Sequence, residues 1–205
     1  MLEQSRELSP HPWARMTGAL YLLYFLTTIL GMLLVSRGFA ASGNAVNVFS
    51  TACYLVVTLL FYRLFKPAGR GLSLLAALFS LGGCVDMSLG LFHVDSNVNP
   101  LFFFGPFCLL IGYLIFRSTF LPRILGMAMA LAGIGWLAFL IPGIPHFLSQ
   151  AIEVFGFLAE LSLCLWLLIK GVNVERWKQK AGAVRTSFRG EDSSTEERAT
   201  KSESH

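Results

Sequence analysis

At 205 residues, 55% hydrophobic and only 14% charged, with a mean hydropathy of +0.63, the chain lies outside the range of soluble domains, where about a quarter of residues are charged. The charges fall mainly between and after the apolar stretches, so 16–170 reads as one membrane domain with no room for a separate soluble one. A net charge of +4 does not point to nucleic acid: there is no zinc spacing, no P-loop and no basic stripe on a soluble fold, and a basic excess is what cytoplasmic loops and anionic headgroups produce in a membrane protein.

A spanning helix needs about 20 mostly apolar residues. Residues 1–15 read as a short cytoplasmic segment, followed by a first span over 16–36. This apolar run exceeds the 7–15 residues of a leader's core, so it reads as a span and not as a cleaved signal, despite the small-x-small Gly38-Phe39-Ala40 behind it. Its positions Thr17, Tyr21, Tyr24, Thr28 and Gly31 form one polar and small stripe. The second span, 45–65, carries a similar stripe of Asn47, Thr51, Tyr54 and Thr58. The third, 71–92, places Asp86 and His93 on one face. The fourth, 100–116, contains Gly105-Pro106, which predicts a kink. The fifth, 123–141, has Gly126, Ala130 and Gly133, small residues that let a neighbouring backbone come close. The sixth, 148–169, aligns Glu153, Gly156 and Glu160, with Cys164 further along. Each of the four cysteines falls in a different span, so no disulfide framework is visible. Pro100 and Pro122 suit helix starts. Residues 171–205 read as a basic juxtamembrane segment with Trp177 as an interfacial anchor, then a polar, disordered cytoplasmic tail.

With these spans, every Lys and Arg except Arg37 falls on one side of the membrane. The positive-inside rule then places both termini in the cytoplasm, which requires an even number of spans. The expectation is an all-α polytopic membrane bundle with six transmembrane helices.

Asp86, Glu153 and Glu160 are the chain's clearest functional signal. A charge near the bilayer centre costs at least about 2.5–3.5 kcal/mol, so such groups turn inward, pair, take up a proton or hold a ligand. At a rise of about 1.5 Å per residue, Asp86 should lie ~10 Å, Glu153 ~7 Å and Glu160 ~18 Å below the outer surface. With His93, Asn47 and Tyr24 they make the candidate ligand- or ion-binding set, an acidic cavity open to the outside that takes a small cation or cationic molecule. His93 and His146 mark the outer rim, in a spacing that matches no metal motif. Two other readings stay open: an accessory or interaction subunit, with a structural polar core and a membrane partner or a second copy of itself, and an intramembrane enzyme. For the last, Ser88 near Asp86 and His93 is the sole nucleophile cluster, and Ser88 points to a different face from Asp86. No catalytic residue, metal site or cofactor is assigned. Arg117, Arg123, Lys170 and Arg176 are expected to meet lipid headgroups.

The run from Gly112 to Gly126, with Phe116-Arg117-Ser118-Thr119-Phe120-Leu121-Pro122-Arg123 at its centre, resembles the bacterial membrane family DUF4386. The run from Glu160 to Asn173 is similar to that family's last helix, and the run from Arg15 to Leu22 to its first. The resemblance implies a multi-pass protein of the inner membrane and, the family's function being unknown, no reaction. Glu160 falls where the family pattern carries Glu. The chain departs from the pattern at Ser80 and Gly83, where the family often shows Arg-x-x-Glu or Gln, and at Phe107, where it often shows His. The loop before Pro100 is also short.

Overall fold

A computed structural model describes residues 10–91, 98–143 and 145–183. All regular structure in them is helical: α1 (Pro10–Ser36), α2 (Ala40–Phe65), α3 (Arg70–Leu91), α4 (Leu101–Ser118), α5 (Arg123–Ala138) and α6 (His146–Ile169), then a short α7 over 174–183. Five of these, α1–α4 and α6, are long and apolar enough to cross a membrane. The expected fifth span is shorter than anticipated. At 16 residues α5 rises only about 24 Å, against a hydrocarbon core of about 30 Å.

The sequence punctuation works largely as expected. Pro100, Pro122 and Pro145 each sit at the cap position just ahead of α4, α5 and α6. α4 continues through Pro106 as one helix. The α1–α2 turn hinges on Gly38, whose φ of +88° is open to glycine at no steric cost. Gly171, at φ +67°, stops α6, with its N–H bonded back to the Trp166 carbonyl.

The six long helices form a closed ring in chain order. Each packs on its sequence neighbours, and α6 returns to α1. Two seams rest on glycine. At the α4–α5 seam a Cβ on Gly112 would stand 2.7 Å from both Ala130 N and Gly126 O, and one on Gly133 would stand 2.8 Å from Gly105 O. The backbones are in direct contact there, as the small residues of the fifth span predicted. At the α6–α1 seam, a Cβ on Gly18 would stand 2.8 Å from the Cys164 carbonyl, and the Cys164 thiol donates to the Gly18 carbonyl at 3.3 Å.

Large apolar side chains, among them Leu26, Met32, Leu78, Ile124, Ile134 and Val154, cover the outside of the ring. An exposed apolar belt of this extent suits lipid and not water. The inside is aromatic: Tyr21, Tyr54, Phe61, Phe65 and Phe107 are all buried and stack or meet edge-on. α7 closes the end of the ring where α1 starts and α6 finishes. Trp177 Nε1 donates to the Leu64 carbonyl at 2.9 Å, Arg176 Nη1 to the Thr119 carbonyl at 3.1 Å, and Asn173 N to the Phe120 carbonyl at 3.1 Å. Trp177 is thus docked against the bundle, where the sequence suggested only an interfacial anchor. The tail from 184 onward lies outside the described residues.

Candidate functional site

Glu160 is the centre of the bundle's polar interior. It lies midway along α6 and is 3% exposed. Its Oε2 accepts a 2.8 Å hydrogen bond from the Tyr21 hydroxyl of α1, so the pair spans the seam that closes the ring. Among the described residues it forms no ion pair. Tyr24, Tyr54 and Cys108 stand close enough to interact with it electrostatically.

Trp136 of α5 is beside it too. Gly156 explains how: a Cβ there would meet the indole ring at 2.6 Å, so glycine one turn before Glu160 lets the ring lie against α6. The Trp136 Nε1 and the Tyr54 hydroxyl are both buried, the first beside the Glu160 carboxyl and the second beside Ser80, without a well-formed hydrogen bond among the described residues. A carboxyl thus sits among aromatic rings with two further donors near it. Aromatic faces attract cations, and the carboxyl supplies either a full negative charge or a proton.

Two hydroxyl pairs join neighbouring helices, while most other Ser and Thr hydroxyls bond back to their own helix. Thr28 Oγ1 and Ser50 Oγ are 2.5 Å apart across α1 and α2, and Ser50 also donates to the Tyr24 carbonyl. Thr58 and Ser80 hydroxyls are 2.6 Å apart across α2 and α3. Thr28 and Thr58 belong to the stripes read from the sequence and serve as interhelical bonds, whereas Thr17 and Thr51 bond back to their own helices.

Of the other expected site residues, Tyr24 stands near Glu160 and the rest are dispersed. Asp86 is buried, but on α3, which packs on α2 and α4 and lies across the ring from α6. Asn47 is half-buried and packs over Gly31 of α1. Tyr24 is half-buried and stacks on Tyr54 with ring centroids 4.6 Å apart. Glu153 corrects an expectation: it is exposed, as is His146, and it does not join Glu160. The residue before it, Ile152, faces Gly135 of α5, while Glu153 itself is left open. His93 lies outside the described residues. Ser88 donates to the Cys84 carbonyl of its own helix at 2.7 Å, which uses its proton locally. Arg117, Arg123, Lys170 and Arg176 are all exposed at the end of the bundle carrying the termini.

Sequence reasoning missed a cavity of about 190 Å³ between α3 and α4, floored by Tyr24 and Tyr54 and walled by Ser80, Gly83, Cys84 and Phe103. Ser80 and Gly83 are two of the positions at which the chain departs from the family pattern. Trp136 was missed as well. Its only signal was Gly156, a glycine inside a helix, which marks a close approach.

Fold and site together define an all-helical membrane protein with a carboxylate-bearing aromatic interior. Residues 87–171 match the model of DUF4386, a domain of unknown function, which bears out the resemblance read from the Gly112–Gly126 and Glu160–Asn173 runs; both runs lie almost wholly within the match, and Glu160 with them. An uncharacterized protein of Archaeoglobus fulgidus is 26% identical over 126 residues, covering 57% of this chain and 76% of that protein. No solved structure matches the chain.

Proposed function

We propose that the chain is a six-span protein of a bacterial inner membrane, with both termini in the cytoplasm, that binds a proton or small cation at Glu160. The carrying observation is Glu160 itself: a carboxyl held in the bundle interior with one tyrosine donor and no basic partner among the described residues. Keeping such a group in a membrane interior is costly, and the usual return is function. Tyr21 orients the carboxyl, Tyr24 and Tyr54 stand near it, and Trp136 offers a donor from α5. The fifth span takes in the apolar turn residues Phe139 to Ile141 beyond α5 and so covers 123–141.

The series of interhelical hydroxyl pairs favours a second reading, in which the Tyr21–Glu160 bond is one more structural tie in an accessory subunit. Two variants separate them. Glu160→Gln keeps a donor and an acceptor but cannot ionise. Glu160→Leu leaves Tyr21 unpaired and should cost about 1–3 kcal/mol. In liposomes, infrared difference spectra of the wild type should contain a carboxyl band that responds to a pH jump or to sodium. Glu160→Gln should lose that response while unfolding at the wild-type midpoint. A response that survives in Glu160→Gln would leave only the structural tie.

A further inference from the structure

A second candidate site lies at the end of the bundle where α6 finishes, independent of any role for Glu160. Between the α4–α5 turn and the α6–α7 junction is a cleft of about 390 Å³. One wall is Thr119 to Pro122, and the other is Trp166, Lys170, Asn173 and Arg176. We propose that this cleft binds the phosphate of an anionic lipid headgroup.

Charge is the first argument. The cleft holds two cations and no acidic residue. Lys170 is exposed; its backbone N–H bonds to the Trp166 carbonyl, and its side chain makes no hydrogen bond to the described residues. Arg176 spends Nη1 on the Thr119 carbonyl, a bond that fixes the guanidinium across the cleft. Its remaining N–H groups stay available, in the planar fork that matches phosphate oxygens. Backbone polarity adds to this. Asn173 caps α7 by accepting the Arg176 N–H at 3.1 Å, so the positive end of that ten-residue helix opens beside the two cations.

Depth is the second argument, and it selects a lipid over a soluble anion. Lys170 directly follows α6, a helix long enough to span a membrane, and Pro122 directly precedes α5. The cleft is therefore at the level where apolar helix gives way to polar chain. Trp166 stands half-open at its edge, as indoles do at headgroup depth. On the membrane side, Ile124 and Ile169 are exposed by 68% and 61% and offer an apolar track for acyl chains attached to a phosphate held in the cleft.

The test uses the full-length protein, delipidated in a non-ionic detergent and titrated with dihexanoyl phosphatidylglycerol, dihexanoyl phosphatidylcholine or sodium phosphate. Tryptophan fluorescence and native mass spectrometry report binding. The expected result is saturable binding of the phosphatidylglycerol, at least about 10-fold tighter than either of the others. Lys170→Gln should weaken it about 5-fold, the value of one basic group near an anionic surface, and Lys170→Arg should restore it. Lys178→Gln, an exposed basic residue outside the cleft, should leave it unchanged. Lys170 carries the decision because its side chain holds nothing else in place, whereas loss of Arg176 also loosens α7. Equal affinity for the two lipids, or equal weakening by Lys178→Gln and Lys170→Gln, would overturn the site. Sodium phosphate binding as tightly as the phosphatidylglycerol would overturn the lipid as its ligand.

Discussion

Substitution of Gly112 by alanine measures how much of the fold depends on the α4–α5 seam. The added Cβ would lie 2.7 Å from Ala130 N and from Gly126 O, where ordinary contact begins at 3.4 Å. Both obstructing atoms are backbone, so no rotamer change relieves the clash. The helices must part by about 0.7 Å, the difference between those two distances. A gap of about 0.5–1 Å forfeits a quarter to a half of the dispersion energy of each contact it opens. With the strain of overpacking, the expected loss is about 1–3 kcal/mol, read from reversible unfolding in mixed micelles with increasing SDS. Gly126→Ala addresses the same gap from the other side, since its Cβ would stand 2.8 Å from Gly112 O. The double variant should therefore cost less than the sum of the singles, by at least about 0.5 kcal/mol. Gly71→Ala is the control. It sits in the first turn of α3 with nothing within 4 Å, and should leave stability unchanged or raise it by up to about 1 kcal/mol. Neutral Gly112→Ala and Gly126→Ala, or strict additivity, would refute direct backbone contact between α4 and α5.

Trp177→Phe removes the donor to the Leu64 carbonyl and should cost about 0.5–1.5 kcal/mol, with earlier proteolytic cleavage near 174–183 as the local readout; cleavage at the wild-type rate would mean that α7 is held by its other bonds. All four cysteines are buried and unpaired, so a membrane-permeant maleimide should label none of them in folded protein and all four in SDS. Rapid labelling of Cys108 or Cys164, both fully inaccessible, would contradict the packing of the interior.

The helices were legible in the sequence because lipid leaves a chain few options: every backbone group must be bonded within its own helix, so long apolar runs mark helices directly. The small-residue face of α5 was legible for a related reason, since close backbone approach needs small side chains wherever it occurs. What glycines 126 and 133 could not disclose was their partner. Gly105 and Gly112 supply it, spaced like them by seven residues, but pairing between helices is not encoded in the periodicity of either. Glu160 pointed inward as its cost required. Glu153 shares its helical face and did not, although its neighbour Ile152 meets Gly135 of α5. A face can be read from one helix; a cavity needs the placement of all its neighbours.

The chain-order ring has a consequence for biosynthesis. Every seam except the last joins helices that leave the ribosome one after the other, so each new helix can settle against its predecessor as it enters the bilayer. The final seam differs. Until α6 arrives, Tyr21 has its α2 neighbours Tyr54 and Phe61, but its hydroxyl and Gly18 lack their α6 partners and must wait, exposed to lipid or to a helper protein, through the synthesis of four intervening helices. Glu160 arrives last, and by the time it enters the bilayer its tyrosine is already in place. Insertion of the most expensive residue in the chain is thus deferred to the moment when its shelter is ready. A ribosome stalled before α6 would display the unsatisfied flank of α1, a natural substrate for membrane quality control.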